Sequence, residues 1–375
     1  MIEDRILHVI SFNIPYPPDY GGVIDVYYKL KALHQAGVRI ILHNFQYGRE
    51  ISEKLNEFCE AVYYYQRKSS ADYFFRRTPY IVSTRDSQDL LQRLQKDNFP
   101  ILFEGIHTSF FIPELEENKR KLIIRAHNIE HRYYSQLAKN EKKLWRKVFF
   151  YIESIKLSAY EKHIYSQNSI AAISQNDHNY FSETYGNSTL INAFHPYRDV
   201  KIQTGSGSYI LYHGNLSVPE NIEAAIFLLK EIFPSIPYPC IIAGKQPDKA
   251  ILKLAKGLSN VKILGSPGEL LMEELISGAQ VNILPAFQDS GMKLKLLAAL
   301  FSGKHCLVNS MMVSDSGLDP LCEHAESAED MISKTIELIA TPFSELEAEK
   351  RRSFLNVHYN NSINAERLIQ LIWPD

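Results

Sequence analysis

The sequence predicts an α/β protein made of two doubly wound, parallel-sheet domains, and three observations carry that reading. Short apolar runs bounded by Gly, Pro, Asn or Asp alternate with helical stretches along almost the whole chain. The alternation breaks at Thr204-Gly205-Ser206-Gly207-Ser208, the best linker signal present, and restarts at Tyr209. The length, 375 residues, suits two domains of ordinary size. Strict alternation of strand and helix is the signature of parallel sheets with crossover helices.

Taken in order, Ile6–Phe12 reads as a strand, Pro15–Gly22 as a loop, 23–36 as a helix stopped by Gly37, and Val38–Phe45 as the next strand. The loop lacks Gly-x-Gly-x-x-Gly, which argues against a dinucleotide-dependent dehydrogenase. Gly21-Gly22 serves equally as a tight turn or as a place where backbone approaches a ligand. Val62–Gln66 is a short strand, and Leu90–Gln95 belongs to a helix. The strand Ile101–Ile106 ends at His107, and Leu122–Ala126 runs into His127. Both histidines therefore fall at carboxyl ends of strands, where open α/β sheets keep their ligand crevice. Each is equally readable as a structural hydrogen bonder. A long helical stretch from Asn140 to about Gln167 starts with Lys142, Lys143, Arg146 and Lys147, a basic end that suits anionic lipid or simply water. Ile170–Ile173 and Leu190–Ile191 close the first half.

The second half repeats the pattern. Strand Tyr209–His213 leads to the turn Gly214-Asn215-Leu216-Ser217 and a helix over about 219–233. Cys240–Ala243 is followed by Gly244-Lys245, a helix to Leu258, strand Val261–Leu264, another helix and strand Val281–Leu284. The next loop and helix are the most informative stretch. Ser290 reads as an N-cap, which would leave the amides of Gly291, Met292 and Lys293 free at the helix start. Such an end attracts phosphate through its donors and its dipole, and Lys293 and Lys295 add positive charge. An ordinary βαβ crossover would show the same pattern. Gly303 stops the helix.

Composition sets outer bounds. A net charge of −2 gives no reason to invoke nucleic acid, and 45% hydrophobic residues support full cores. Cys59, Cys240, Cys306 and Cys322 are scattered, match no metal spacing, and are expected to be reduced thiols of a cytoplasmic protein. No Asp-x-Asp and no helical His pair suggests a metal. The start, Met1-Ile2-Glu3-Asp4-Arg5, precedes too short an apolar run for a signal peptide, and no stretch reaches the length of a membrane span.

Several passages, in this order, resemble the group 1 family of retaining, nucleotide-sugar-dependent glycosyltransferases, which have the GT-B fold. They are His213-Gly214-Asn215-Leu216, Ala243-Gly244-Lys245, Gly265-Ser266-Pro267-Gly268, and Ser290-Gly291-Met292-Lys293-Leu294-Lys295 with Gly303-Lys304. Arg125-Ala126-His127-Asn128-Ile129-Glu130 resembles a further recurrent feature of the family. The resemblance implies two Rossmann-like domains, residues 1–197 and 205–354, facing each other across a cleft, with 355–375 forming a helix that crosses back to the first. It implies a nucleoside diphosphate sugar held by Gly214, Asn215, Lys245, Ser290, Gly291, Met292, Lys293 and Lys295. Gly21 and Gly22 would form an acceptor or phosphate loop, and His107 or His127 would position or shuttle the acceptor proton.

The implied reaction is transfer of a sugar, with retention, to a glycan, lipid-linked or small-molecule acceptor, as in polysaccharide biosynthesis. It would need no cofactor beyond the donor and no metal, and would take place in the cytoplasm or at the inner face of the membrane, with peripheral contact to it. One departure stands out. The family's paired glutamates fall at Ser290 and Ala298 here, and position 298 is the one implied to grip the ribose diol. A catalytically weak or inactive homologue acting as a binding protein is therefore the rival, and a sugar-nucleotide epimerase a more distant one.

Overall fold

The structure is a computed structural model that describes residues 5–116, 120–287, 293–314 and 316–374. The chain divides into two units. One runs to Pro196 and is rejoined by the chain from Tyr359 onward, and the other is Tyr197–His358.

The first unit holds strands β1 (Ile6–Ser11), β2 (Arg39–Gln46), β3 (Ala61–Gln66), β4 (Ile101–Glu104), β5 (Leu122–Ala126), β6 (Ser169–Ala172) and β7 (Ser188–Leu190), all parallel in the order β3-β2-β1-β4-β5-β6-β7. Both faces are covered, which is why these strands read as continuous apolar runs rather than as alternating patterns. The second unit repeats the design with β8 (Ile210–His213), β9 (Cys240–Gly244), β10 (Val261–Gly265), β11 (Val281–Leu284), β12 (His305–Val308) and β13 (Glu323–His324), ordered β10-β9-β8-β11-β12-β13. In each sheet the winding reverses once, between β1 and β4 and between β8 and β11, and ligands of such sheets sit outside the strand ends at those two places.

Four local expectations change. The stretch 204–208 is not a free linker: Gly205 pairs with Phe343 through two backbone hydrogen bonds, and the Gly207 amide donates to Gln280. Backbone groups of any sequence can make such bonds, so the Gly-Ser composition did not reveal them. The tail forms two helices, Glu345–His358 and Asn361–Ile372, because Asn360 caps the second through its side chain. Only the second packs on the first unit, with Ala365, Leu368, Ile369 and Ile372 in the core that also holds Val26 and Leu30. The long helical stretch is likewise two helices, Glu130–Asn140 and Leu144–Tyr165. The first helix of the chain begins at Gly21 itself and runs to Gln35.

One feature of the first unit is unusual for a parallel sheet. Asp25, Lys29, Glu104 and Arg125 are fully buried together. Lys29 Nζ donates to Asp25 Oδ2 and to Glu104 Oε2, each at 2.8 Å. Arg125 donates to both oxygens of Asp25, at 3.2 and 2.9 Å, and to the carbonyls of Ile191 and Asn192. The Phe194 amide also donates to Asp25, at 2.8 Å. Burial alone would raise the Asp25 pKa, but Arg125 and Lys29 overcome it and hold the carboxyl well below the usual range. The four charges cancel, which is what makes their burial tolerable.

The cluster is therefore expected to be structural. Lys29→Met should leave Asp25 and Glu104 short of a cation and cost about 3–5 kcal/mol. Urea unfolding should show the transition of the first unit shifted to lower denaturant, whereas an unshifted curve would mean the cluster holds nothing.

Candidate functional site

In the first unit, the residues that leave the reversal-point strands enclose a cavity of 390 Å³. Phe12 and Asn13 follow β1 directly. Gly105, at a φ of 71°, turns the chain after β4 into the single helical turn Ile106–Thr108 that carries His107. A Cβ at Gly105 would lie 2.7 Å from His107 Nδ1, and one at Gly22 would lie 2.8 Å from the tip of the Phe12 ring. Gly22 thus makes room for Phe12, whose ring in turn meets His107 and His127, each 5.6 Å away between centroids. The remaining walls are Tyr20, Tyr47, Arg67, Phe74, Tyr80, Ile81, Arg85, Tyr134 and Phe149.

The cavity is positively charged. Arg85 is almost fully buried, with its guanidinium donating to the carbonyls of Phe12 and Ile81. Burial, with Arg67 nearby, pushes it down to about 9. Arg67 donates from Nε to Thr84 Oγ1 at 3.1 Å and lies 4.3 Å over the Tyr47 ring. Burial and then the repulsion of Arg85 hold His107 well below its ordinary value, so its ring is neutral at physiological pH. His127 is placed differently: its Nε2 lies 3.2 Å from Glu104 Oε2, which ties it to the buried charge cluster. Asp25, Glu104 and His127 come close enough to share a metal ion. Lys29 and Arg125 already hold both oxygens of Asp25, and Lys29 and His127 meet Oε2 of Glu104, whose Oε1 has no hydrogen bond among the described residues.

Of the residues expected from the sequence, the structure therefore puts His107 on the cavity wall and His127 behind it, across Phe12. Gly21 and Gly22 start the helix Gly21–Gln35, next to the cavity-lining Tyr20. Sequence reasoning missed Arg67 and Arg85. Arg67 stands just past the end of β3, a position that could have been searched for a cation, whereas Arg85 lies in an irregular stretch with no pattern to flag it.

In the second unit, the turn after β8 is held by the Gly214 amide donating to Ala243 O at 3.1 Å and by Asn215, whose side chain caps Ser217. Asn221 Nδ2 donates to Asn215 O at 3.0 Å, and Asn221 Oδ1 accepts from Lys295 Nζ at 2.8 Å. The structure thus joins Gly214 and Asn215 to Lys295 through Asn221. Burial first, and then the Lys293 charge, lowers Lys295 to about 8, and no carboxylate forms an ion pair with it among the described residues. His213 is pushed down to about 3 by burial and by Lys295. Lys245 is exposed at the end of β9, and its carbonyl accepts from the Leu216 amide at 2.9 Å. The sterically demanding glycine is Gly244, where a Cβ would come within 1.7 Å of Gly214 O. The sequence reading placed Gly244 before Lys245 but not its steric role, because its partner is distant along the chain.

The helix expected to begin at Ser290 begins at Leu294 and runs to Ser302, with Lys293 at the N-cap position. Its free amides are accordingly those of Leu294 and Lys295, because the next two donate to Lys293 O. Ser290, Gly291 and Met292 lie outside the described residues. Ala298 is buried among Leu211, Ala243, Leu275, Ile276 and Ala279. The expectation that this position faces the ribose is corrected: its side chain belongs to the core, and a carboxylate there would be set against apolar neighbours.

No known family model matches the sequence. Among curated proteins it is similar to an uncharacterised 44.6 kDa protein in the cps region of Klebsiella pneumoniae, at 24% identity over 311 residues, 78% of this chain and 79% of that one. Among solved structures, a glycosyltransferase from Rickettsia africae superposes with a TM-score of 0.64 at 13% identity, covering 99% of both chains. TarM gives 0.69 at 10% identity over 99% of both. HepE of Anabaena, solved in complex with UDP and glucose, gives 0.63 at 10% identity over 97% of this chain and 98% of its own. The chain thus has the α/β architecture of these enzymes, two Rossmann-like units of the GT-B type.

Proposed function

We propose that this protein is a glycosyltransferase, moving a sugar from a nucleoside diphosphate sugar to a glycan or lipid-linked acceptor with retention of configuration. The observation that carries the reading is Lys295: a half-buried cation with no carboxylate in ion-pair range among the described residues, beside the turn after β8 and at the start of a helix, in a fold matched end to end by glycosyltransferases. As the bond from sugar to diphosphate breaks, negative charge grows on the leaving phosphate. Lys295, Lys293 and the amides of Leu294 and Lys295 form a preorganised set of donors for that charge, so the reaction needs no metal and no cofactor beyond the donor. A neutral His107 is in the proton-accepting form that an acceptor hydroxyl requires. Uridine is the first nucleotide to try, since HepE and TarM were solved with UDP. The relative in a cps region suits a role in polysaccharide biosynthesis, with the work done on the cytoplasmic side.

A second reading, a catalytically weak homologue that binds and does not turn over, is favoured by one observation. Ala298 offers no carboxylate, and its neighbours are apolar.

Peripheral contact with the membrane belongs to the same proposal. No helix among the described residues is long and apolar enough to cross a membrane. The helix Leu144–Tyr165, however, buries its Glu153, Leu157 and Glu161 face and exposes Leu144 (75%), Trp145 (70%), Val148, Tyr151, Ile152 and Ile155. These six form one stripe at helical spacing. Glu153 accepts from the Tyr80 amide and Lys156 donates to Phe74 O, which fixes beside the helix a segment whose Phe75 is 90% exposed. Exposed Arg76, Arg77, Lys142, Lys143, Arg146 and Lys147 flank the apolar surface. That charge suits an anionic bilayer and opposes self-association, which would bring like charges together.

Two outcomes are expected. UDP should bind, and Lys295→Ala should weaken it by roughly 1.5–3 kcal/mol while uridine binding is unchanged. Because the bound anion favours protonated Lys295, UDP affinity should fall as pH rises past about 8, by up to about tenfold per unit, and the slope should vanish in the variant. Calorimetry with UDP and uridine decides this, and equal losses for both ligands would remove Lys295 from the phosphate site. On vesicles, the protein should sediment with phosphatidylglycerol-containing bilayers and a W145E/I152E variant should not. Unchanged binding of that variant would exclude the stripe.

A further inference from the structure

We propose that the Arg67–Arg85 cavity of the first unit binds a phosphorylated sugar, the two guanidinium groups holding the phosphate and the aromatic walls holding the sugar ring. The assignment of this ligand as the acceptor rests on the transferase reading above. The binding site itself does not.

Charge is the first observation. No acidic residue lines the cavity, and among the described residues neither guanidinium has a carboxylate within ion-pair distance. Buried charges are ordinarily paired, and the unit follows that rule elsewhere, at Asp25 with Arg125 and at Glu104 with Lys29. Arg85 breaks it. Its hydrogen bonds to Phe12 O and Ile81 O engage one N–H on each of its three nitrogens, leave the second N–H of each terminal nitrogen over among the described residues, and do not compensate its charge. Arg67 stacks on Tyr47 and spends its Nε on Thr84, so its two terminal nitrogens make no hydrogen bond within the described residues. A site with two such cations lacks an anion, and a phosphate monoester, with three acceptor oxygens and nearly two charges at neutral pH, matches two forks better than a single carboxylate does.

Shape is the second. A volume of 390 Å³ lies at the small end of ligand sites. It has room for one ring with its phosphate, and its open mouth leaves the rest of a longer ligand outside. Tyr47, Phe74, Tyr80 and Phe149 give the wall an aromatic, apolar character, with Asn13 and His107 as the polar groups for hydroxyls.

Position is the third. Phe74 and Phe149, on the cavity wall, belong to the same two segments that carry exposed Phe75 and the apolar stripe of the helix Leu144–Tyr165. A sugar phosphate bound here can therefore carry a lipid tail as a diester, with one charge and two free oxygens, whereas the soluble monoester keeps three oxygens and nearly two charges.

The test is a calorimetric titration of the full chain with glucose 1-phosphate, glucose, and the methyl and citronellyl diesters of glucose 1-phosphate, two compounds that differ only in the tail. It is run on Lys295→Ala protein, so that the second unit does not report. Glucose 1-phosphate should bind and glucose should not. Arg67→Gln, at a half-exposed position that leaves the fold intact, should weaken glucose 1-phosphate at least tenfold, and Arg67→Lys should recover part of the loss. Tighter binding of the citronellyl diester than of the methyl diester identifies a lipid-linked ligand, whereas equal binding identifies the headgroup alone. An affinity that Arg67→Gln leaves unchanged, or Lys295→Ala protein with Arg67 intact that binds none of the phosphate compounds, overturns the inference. If glucose 1-phosphate binds as described but UDP does not bind the wild type, the cavity stands and the transferase reading falls.

Discussion

Two carboxylates and two cations lie without solvent at the reversal point of the first sheet, and the placement of everything around them follows from their pairing. Asp25 is on the first helix, Glu104 at the end of β4, Arg125 near the end of β5, and the Ile191–Phe194 segment supplies carbonyls and an amide. Neutralisation requires these four parts of the chain to stand in one arrangement, because any one charge left alone costs several kcal/mol. The same arrangement sets the helix that opens with Gly21 and Gly22 against β1, and with it the Phe12 ring between His107 and His127. His127 is then a neighbour of the cluster, and His107 a wall of the cavity.

Against that neutral cluster, the cations without partners stand out. Lys295 in one unit and Arg67 and Arg85 in the other are half-buried or buried, and none has a carboxylate among the described residues. The other buried cations of the first unit, Lys29, Arg120 and Arg125, are paired with carboxylates, whereas Lys304 and Arg351 of the second unit are buried on the carbonyls of Ser277 and Gly303. It is the cavity position of Arg67 and Arg85 and the place of Lys295 beside the turn after β8 that suit these three to anions from outside. The depressed pKa values of Lys295 and Arg85 express the same fact, since burial disfavours a charge that no counterion relieves. Both groups lie beside the reversal of their own sheet, one past β8 and the other past β1 and β4, where α/β folds bind ligands.

The strands were legible because parallel sheets covered on both faces demand unbroken apolar runs, such as Leu7–Ile10 and Val281–Leu284. The reversal-point residues His107, Gly214 and Asn215 were legible for the same reason, being the first polar residues after such runs. What failed shares one cause: local sequence cannot report distant packing. Ser290 is a better cap than Lys293 by composition, yet the helix begins at Leu294. Thr204–Ser208 has a linker's composition but is fastened by backbone bonds to Phe343 and a glutamine side chain. Ala298 follows a helical repeat toward the ligand on paper and packs beneath Leu211 and Ala243 in the fold. Periodicity revealed the helical character of 144–165 but not that its broad apolar stripe is the uncovered side. Arg67 and Arg85, 18 residues apart along the chain, converge on one cavity only in three dimensions.

The central claim is a division of labour, with the nucleotide recognised by the second unit around Lys295 and a separate anion by the first. Amide hydrogen exchange with saturating UDP tests it directly. Slowed exchange is predicted over residues 213–221 and 294–297, with the segments 62–86 and 104–110 unchanged. Protection confined to those first-unit segments, or absent throughout, would contradict the account.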